Sequence, residues 1–220
     1  MRSFNPGTLT PGQLAALRQA SRAGASLAAA TISRMTGWPL DLSVPGVHAI
    51  PLDEVSRLIG DAQTEMVGLH LRIDGQARGD ILIALSPATA HRILGALLPD
   101  LPARKSLERM SEMEKSALRE VGNILGAAYL GAIGSRMGRP LRPSAPELAI
   151  DMAGALLDDL LAQTARGAES ALIIEIEMSA QGRQAAGHIL HLPDPASLPG
   201  MLAALESRSA TEPPTESTGA

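Results

Sequence analysis

Cysteine is absent from the 220 residues, which excludes a disulfide framework, thiolate metal ligands and a cysteine nucleophile, and fits a reducing compartment. Aromatic residues are nearly absent: one Trp, one Tyr and one Phe leave almost nothing on which bases could stack. There is no basic block, and the formal charge is -4, so the electrostatic footprint of a nucleic-acid binder is missing. No hydrophobic run is long enough to span a bilayer. The longest near-apolar stretch, Ile124 to Gly134, falls well short of the about 20 residues required. A soluble, cytoplasmic protein is therefore expected, without membrane insertion and without nucleic acid as a partner. No G-x-x-x-x-G-K-[ST] loop and no G-x-S-x-G elbow occur, so nucleotide hydrolysis and esterase chemistry lack their apparatus. Acidic residues are missing before Asp41, and the Arg, Ser and Ala bias of residues 1–40 is that of an organellar transit peptide. That segment nevertheless reads as folded helix, because it belongs to a repeat. Arg18 and Arg22 interrupt the only apolar core that a secretory signal could use.

What is present is ordinary globular composition, 45% hydrophobic and 19% charged, in a chain long enough to bury a core. The chain also repeats itself. Gly37-Trp-Pro39-Leu40-Asp-Leu-Ser43-Val-Pro45 and Gly138-Arg-Pro140-Leu141-Arg-Pro-Ser144-Ala-Pro146 share the pattern G-x-P-L-x-x-S-x-P at an offset of 138 − 37 = 101. Carried upstream, the offset lays Leu17 on Leu118 and Ile32 on Ile133, so the helix before each motif is part of the unit. Downstream, Gly79-Asp-Ile-Leu faces Gly187-His-Ile-Leu at a slightly larger offset. Two units, about 11–100 and 110–205, therefore make one domain over 1–205, with 206–220 as a flexible tail too poor in apolar surface to offset its ordering entropy.

Within each unit the order is long helix, strand, short helix, two strands and a closing helix. Gln13–Thr36 and Ser111–Met137 carry helical spacing and stop at Gly37 and Gly138, each with a Pro two residues beyond. Leu69, Leu71 and Ile73 alternate with His70 and Arg72, and Ile174 and Ile176 with Glu175 and Glu177, which marks strands with one wet face. Each is followed by a second run, Asp80–Leu85 or Gly187–Leu192, and reads as a hairpin. The expected class is α+β: a pseudo-twofold duplicated unit with an antiparallel sheet of about six strands and the two long helices on one face. Leu202–Leu205 closes the fold.

Ser116, Glu120 and Asn123 lie at i, i+4 and i+7 of the second long helix, within roughly 60° of one another. Leu118, Val121, Leu125, Ala128 and Ile133 cluster opposite, so the polar stripe should face solvent or a partner. Any amphipathic helix has a wet face, and spacing alone does not make this one functional. Two features single it out. A Gly122-Asn123 pair inside a helix costs about 1 kcal/mol for the Gly relative to Ala, and beyond it Ala127, Gly131 and Gly134 leave a shallow lane on the same face. Tight helix packing within the fold would use the same small residues.

The stretch Ser116-Ala-Leu-Arg-Glu120-Val-Gly-Asn123-Ile-Leu-Gly-Ala-Ala-Tyr129-Leu resembles the helix motif of the CheC, CheX and FliY phosphatases, and of these CheC most. The resemblance extends to Ser43-Val-Pro45, to the Pro51-Leu-Asp-Glu-Val helix and to the Ala171–Glu177 strand. It implies dephosphorylation of a phospho-aspartyl response regulator, CheY or a similar receiver, in chemotaxis signalling. Asn123 would orient the attacking water, Glu120 would engage the receiver's lysine, and Ser116 would support or line the site. The resemblance implies no cofactor of the chain's own, Mg2+ on the receiver, and CheD, a deamidase, as a further partner of some members. The other reading it leaves open is a non-catalytic receiver-binding or flagellar-motor-associated module. FliY-like switch membership is disfavoured because nothing after residue 205 reads as an additional domain. By the same offset Ser116, Glu120 and Asn123 fall on Ala15, Gln19 and Arg22, so the first helix should be catalytically dead, with Arg22 left for a regulatory or partner contact.

Other candidates point to structure. Of the histidines at 48, 70, 91, 188 and 191, only His188-x-x-His191 has close spacing, and on a strand it sends the two rings to opposite faces, so no metal site is expected. Asp151 and Asp158-Asp159 read as a solvated face.

Overall fold

The repeated motif is a helix stop, a strand and a break. Gly37 (φ 69°, ψ 7°) and Gly138 (φ 67°, ψ 23°) take the left-handed conformation that ends each long helix, and glycine reaches it without the Cβ penalty. Pro39 and Pro140 keep the chain from winding on, while Pro45 and Pro146 interrupt the following strand. The computed structural model describes residues 9–37, 39–51, 54–55, 61–75, 77–100, 107, 110–164, 170–180 and 183–209. In chain order these form α1 (Pro11–Thr36), β1 (Leu40–Ser43), β2 (Val47–Pro51), β3 (Glu65–Gly75), β4 (Gly79–Leu85), α2 (Pro87–Leu97), α3 (Glu112–Met137), β5 (Leu141–Pro143), β6 (Glu147–Met152), α4 (Ala153–Thr164), β7 (Ser170–Ala180), β8 (Arg183–Pro193) and α5 (Leu198–Ser209).

The two long helices correspond from cap to cap. Each has 26 residues and opens on a capping box, Thr10 with Gln13 and Ser111 with Glu114, at the offset of 101 that also links Gly37 to Gly138. Ser111 N and Ser111 Oγ both donate to Glu114 Oε2 at 2.7 Å, which accounts for a carboxylate that is 4% exposed.

All strands belong to one antiparallel sheet of eight, in the order β1-β7-β8-β4-β3-β5, with β2 also on β7 and β6 also on β3. The sheet is thus six positions wide, and the count exceeds the expected six because Pro45 and Pro146 split each edge strand in two. Ser144 bridges one split: its Oγ accepts from Arg72 N at 3.0 Å and its own N–H donates to Arg72 O at 2.8 Å. Each unit's edge strands pair with the other unit, β1 and β2 on β7, β5 and β6 on β3, while β4 and β8 meet in the middle. The units have exchanged edges, so neither closes its own sheet.

One core lies between the sheet and the long helices. Leu69, Leu71, Ile73, Ile81, Ile83, Leu172, Ile174 and Ile189 point up from the strands to meet Leu17 and Ile32 of α1, Leu118, Leu125 and Ile133 of α3, and Met201 and Leu205 of α5. The sheet is not bare on its other face, as a one-sided covering would leave it. Met66, Leu82, Ala84, Ile173 and Leu190 pack there against Leu156, Leu157 and Leu160 of α4. The central strand β4 is therefore buried on both faces, from Asp80 to Leu85. The closing helix runs to Ser209, so the expected tail loses its first residues: Glu206 accepts hydrogen bonds from Thr10 Oγ1 at 2.9 Å and Gln13 Nε2 at 3.2 Å. Residues 210–220 lie outside the described residues, as do Leu52 and Asp53 of the expected Pro51–Val55 helix; Pro51 instead ends β2, and Glu54 and Val55 are helical. Among the described residues no helix is long and apolar enough to cross a membrane.

Candidate functional site

Helix α3 is held against the sheet by small residues. A Cβ on Gly122 would stand 3.0 Å from Leu69 Cδ1, and one on Gly126 would stand 2.8 Å from Leu71 Cδ2. Gly122 therefore has a packing reason: it lets α3 settle onto β3. The next residue, Asn123, is turned outward by the helical step of about 100°. Leu118, Val121, Leu125, Ala128 and Ile133 are buried, as their spacing predicts, and Ser116, Glu120 and Asn123 are all exposed on the opposite side. At 1.5 Å per residue the three span about 10 Å of helix.

None of the three side chains makes a hydrogen bond or ion pair among the described residues. Their cationic neighbour Lys115 is taken: its Nζ donates to Glu112 Oε1 at 2.8 Å, and this bond holds the Glu112 carboxyl below its ordinary range. The stripe thus presents a hydroxyl, a carboxylate and a carboxamide, a set that can accept from a cation and both donate to and accept from a water. Ala127 and Gly131 continue it as an exposed lane, and a Cβ on Gly131 would meet nothing within 4 Å. Gly134 does not belong to the lane. It is buried, because the chain folds back after Gly138 and sets Arg139 O 2.6 Å from where its Cβ would be.

On α1 the offset holds in three dimensions. Ala15, Gln19 and Arg22 are exposed, as are Ser26 and Ala30 at the positions equivalent to Ala127 and Gly131. The two helices meet where Gly24 lies on the backbone of Ala128 and Tyr129; a Cβ there would be 2.9 Å from Tyr129 Cα. Both helices offer the same kind of ridge, and only one carries the polar triplet.

The remaining candidates do not join it. His188 is half-buried on the α4 side of the sheet, across from Glu175, while His191 is buried beneath α3, so their rings lie on opposite faces. Burial pushes the pKa of His188 down, with Glu175 opposing that shift, and burial lowers that of His191 to about 4. Asp158 and Asp159 are exposed on α4, and exposed Asp151 accepts from Met152 N at 2.8 Å. Among the described residues no group of three or more His, Asp or Glu is arranged to hold a metal ion. Two polar pairs escaped the sequence reading. His70 Nε2 lies 2.7 Å from Asp80 Oδ1 on the α4 face, and Tyr129 Oη lies 3.0 Å from His191 Nδ1 under α3. The signal for the second was available: His191 shares strand parity with inward-facing Ile189, and Tyr129 sits on the apolar side of its helix.

No family model matches the chain. In sequence it is 28% identical over 199 residues to CheY-P phosphatase CheC of Bacillus subtilis (strain 168), which covers 88% of this chain and 93% of that protein. In fold it is similar to FliY of Thermotoga maritima, with a TM-score of 0.73 at 17% identity over 91% of this chain and 99% of that one. A chain of the FliG-FliM complex from H. pylori superposes with a TM-score of 0.67 at 12% identity, over 88% and 99%. The chain therefore shares its overall fold with those two structures. The chain is CheC-like in sequence, and in fold it is similar to FliY.

Proposed function

We propose that the chain is a phosphatase for a phospho-aspartyl receiver of the CheY kind. The observation that carries this reading is the outward, unpartnered grouping of Ser116, Glu120 and Asn123 on one ridge, in a chain that is 28% identical to a CheY-P phosphatase over most of its length. Asn123 holds a water through both ends of its amide, with an oxygen lone pair aimed in line at phosphorus. Attack forms a P–O bond to the water oxygen and breaks the acyl-phosphate P–O bond, releasing inorganic phosphate and the receiver's free carboxylate. Glu120 accepts from the receiver's lysine and fixes the docked orientation; Ser116 lines the rim. Catalysis is by positioning, so the chain supplies no covalent intermediate. The divalent ion belongs to the receiver and arrives with the substrate.

The test is decay of a phosphorylated CheY-like receiver with wild-type protein, Asn123→Ala and Glu120→Ala. Acceleration by wild type, reduced about 10²–10³-fold in Asn123→Ala, is expected for loss of one positioning group. Unchanged decay with wild type, both alone and with CheD added, would sink the enzyme reading. A second reading, a docking module without chemistry, is favoured by the fold likeness to a chain of the FliG-FliM complex and by the bare ridge of α1. It predicts receiver binding with no effect on decay.

A further inference from the structure

Tyr129 and His191 form a polar contact between α3 and the sheet beneath it. The residues are 3% and 1% exposed, Tyr129 Oη and His191 Nδ1 are 3.0 Å apart, and the rings meet edge to face at 5.7 Å and 88°. The pair joins three elements, because the Tyr129 backbone is also where Gly24 of α1 docks. The repeat makes it informative. The offset of 101 sets Ala28 at the place of Tyr129, and the offset of 187 − 79 = 108 sets Ile83 at the place of His191. Ala28 and Ile83 are both buried, so the first unit fills the same space with apolar atoms alone. The buried polar pair occurs under the helix that carries the triplet, and the equivalent positions under α1 are both apolar.

An apolar helix face can slide and rotate by small amounts at little cost, whereas a buried hydrogen bond has one satisfied geometry and penalises departures from it. We infer that the Tyr129–His191 hydrogen bond is a positioning device that fixes the rotation of α3 on the sheet and so aims Asn123 and Glu120. With side chains at about 5–6 Å from the helix axis, a rotation of about 10° displaces a tip by about 1 Å, enough to cost on the order of 10²-fold in a reaction that depends on alignment. Neither residue touches the substrate. Burial keeps His191 neutral, so the contact is the same across the working pH range.

This inference rests on the phosphatase reading, and the experiment separates the two. Receiver dephosphorylation is measured with wild type, Tyr129→Phe, His191→Asn, His191→Leu and the double variant Tyr129→Phe/His191→Leu, alongside urea unfolding of each. Asn places a polar atom where Nδ1 stands and keeps the bond, so His191→Asn retains kcat. Tyr129→Phe and His191→Leu lower kcat at least tenfold with KM unchanged. The double variant is decisive: with both polar groups gone its stability returns toward wild type, but kcat stays low. Recovery of kcat together with stability would reduce the pair to ordinary packing and overturn the inference. Should wild type show no phosphatase activity, the phosphatase reading fails. The register claim is then judged by NMR. It requires the Gly122 backbone amide and Asn123 side-chain amide signals to shift or broaden in the double variant, and unchanged signals overturn it.

Discussion

Gly122 and Gly131 lie nine residues apart on one helix, and replacing each by alanine should move stability in opposite directions. Alanine gains about 1 kcal/mol over glycine in a helix interior from backbone entropy alone. At Gly131 nothing opposes that gain, since the new Cβ would meet no atom within 4 Å. At Gly122 the Cβ would stand 3.0 Å from Leu69 Cδ1 and 3.3 Å from Leu69 Cβ. Leu69 is fully buried between β3 and α3 and cannot swing clear. Overpacking of this kind costs about 1–3 kcal/mol, so Gly122→Ala should lie between neutral and about 2 kcal/mol destabilised. Urea unfolding followed by circular dichroism, with equal m-values, measures both variants on one scale. Gly131→Ala should raise the midpoint and Gly122→Ala should fall below it by the overpacking cost. Equal increases would refute the spacer role of Gly122, and the glycine would then need an explanation in the site itself. Relief of the clash by lifting α3 would also displace Asn123, so Gly122→Ala should lose phosphatase turnover beyond what its stability explains.

The pH dependence of stability should carry a signature of His191. Its pKa is lowered by burial to about 4 from 6.5 in the open chain, so between those values the unfolded state binds the extra proton. Stability from this group is full above about pH 6.5 and is lost as pH falls toward 4, by up to about 3 kcal/mol. Urea midpoints from pH 7 to pH 4 should therefore drop more steeply for wild type than for Tyr129→Phe/His191→Leu, and parallel curves would contradict the assignment. The exposed ridge of α1 should accept the chemistry of α3: in an Asn123→Ala background, Ala15→Ser/Gln19→Glu/Arg22→Asn should restore part of the receiver dephosphorylation. Restored binding without turnover would show that the α1 ridge docks the receiver without the alignment that α3 supplies.

The long helices and hairpins were legible in the sequence because their signals are local. Thr10 with Gln13, Ser111 with Glu114, and Gly37 and Gly138 mark helix ends within a few residues, and Leu69, Leu71 and Ile73 show their alternation directly. The outward placement of Ser116, Glu120 and Asn123 follows from the same helical period. The edge exchange was not legible, because alternation says which face a residue takes and not which strand lies beside it. Nor was the second covered face. His70 and Arg72 advertise a wet side on β3, yet Leu82 and Ala84 on the neighbouring strand are buried by α4. Gly134 was misplaced for a related reason: its azimuth on an ideal helix matches Ser116, but the return of Arg139 and Leu141 over the helix end is a tertiary event. The Tyr129–His191 bond joins residues 62 apart, and only the assembled sheet brings them together.

Edge exchange also explains how one unit can lose its polar triplet without being lost itself. If each unit were closed, a silent first unit would be dispensable. Here β1 and β2 complete the edge beside β7, and α1 buries Leu17, Ala20 and Ile32 in the core that also seats α3. Gly24 is fixed by the Tyr129 backbone behind it. The inward positions of α1 are therefore constrained by the support they give to the other unit, while Ala15, Gln19 and Arg22 face outward. Substitution at Ala15 or Arg22 removes no buried side chain from that core, whereas deletion of the helix that carries them would strip the cover from the strands on which α3 rests. The first unit is held by what its inner face packs against, not by the chemistry of its outer face.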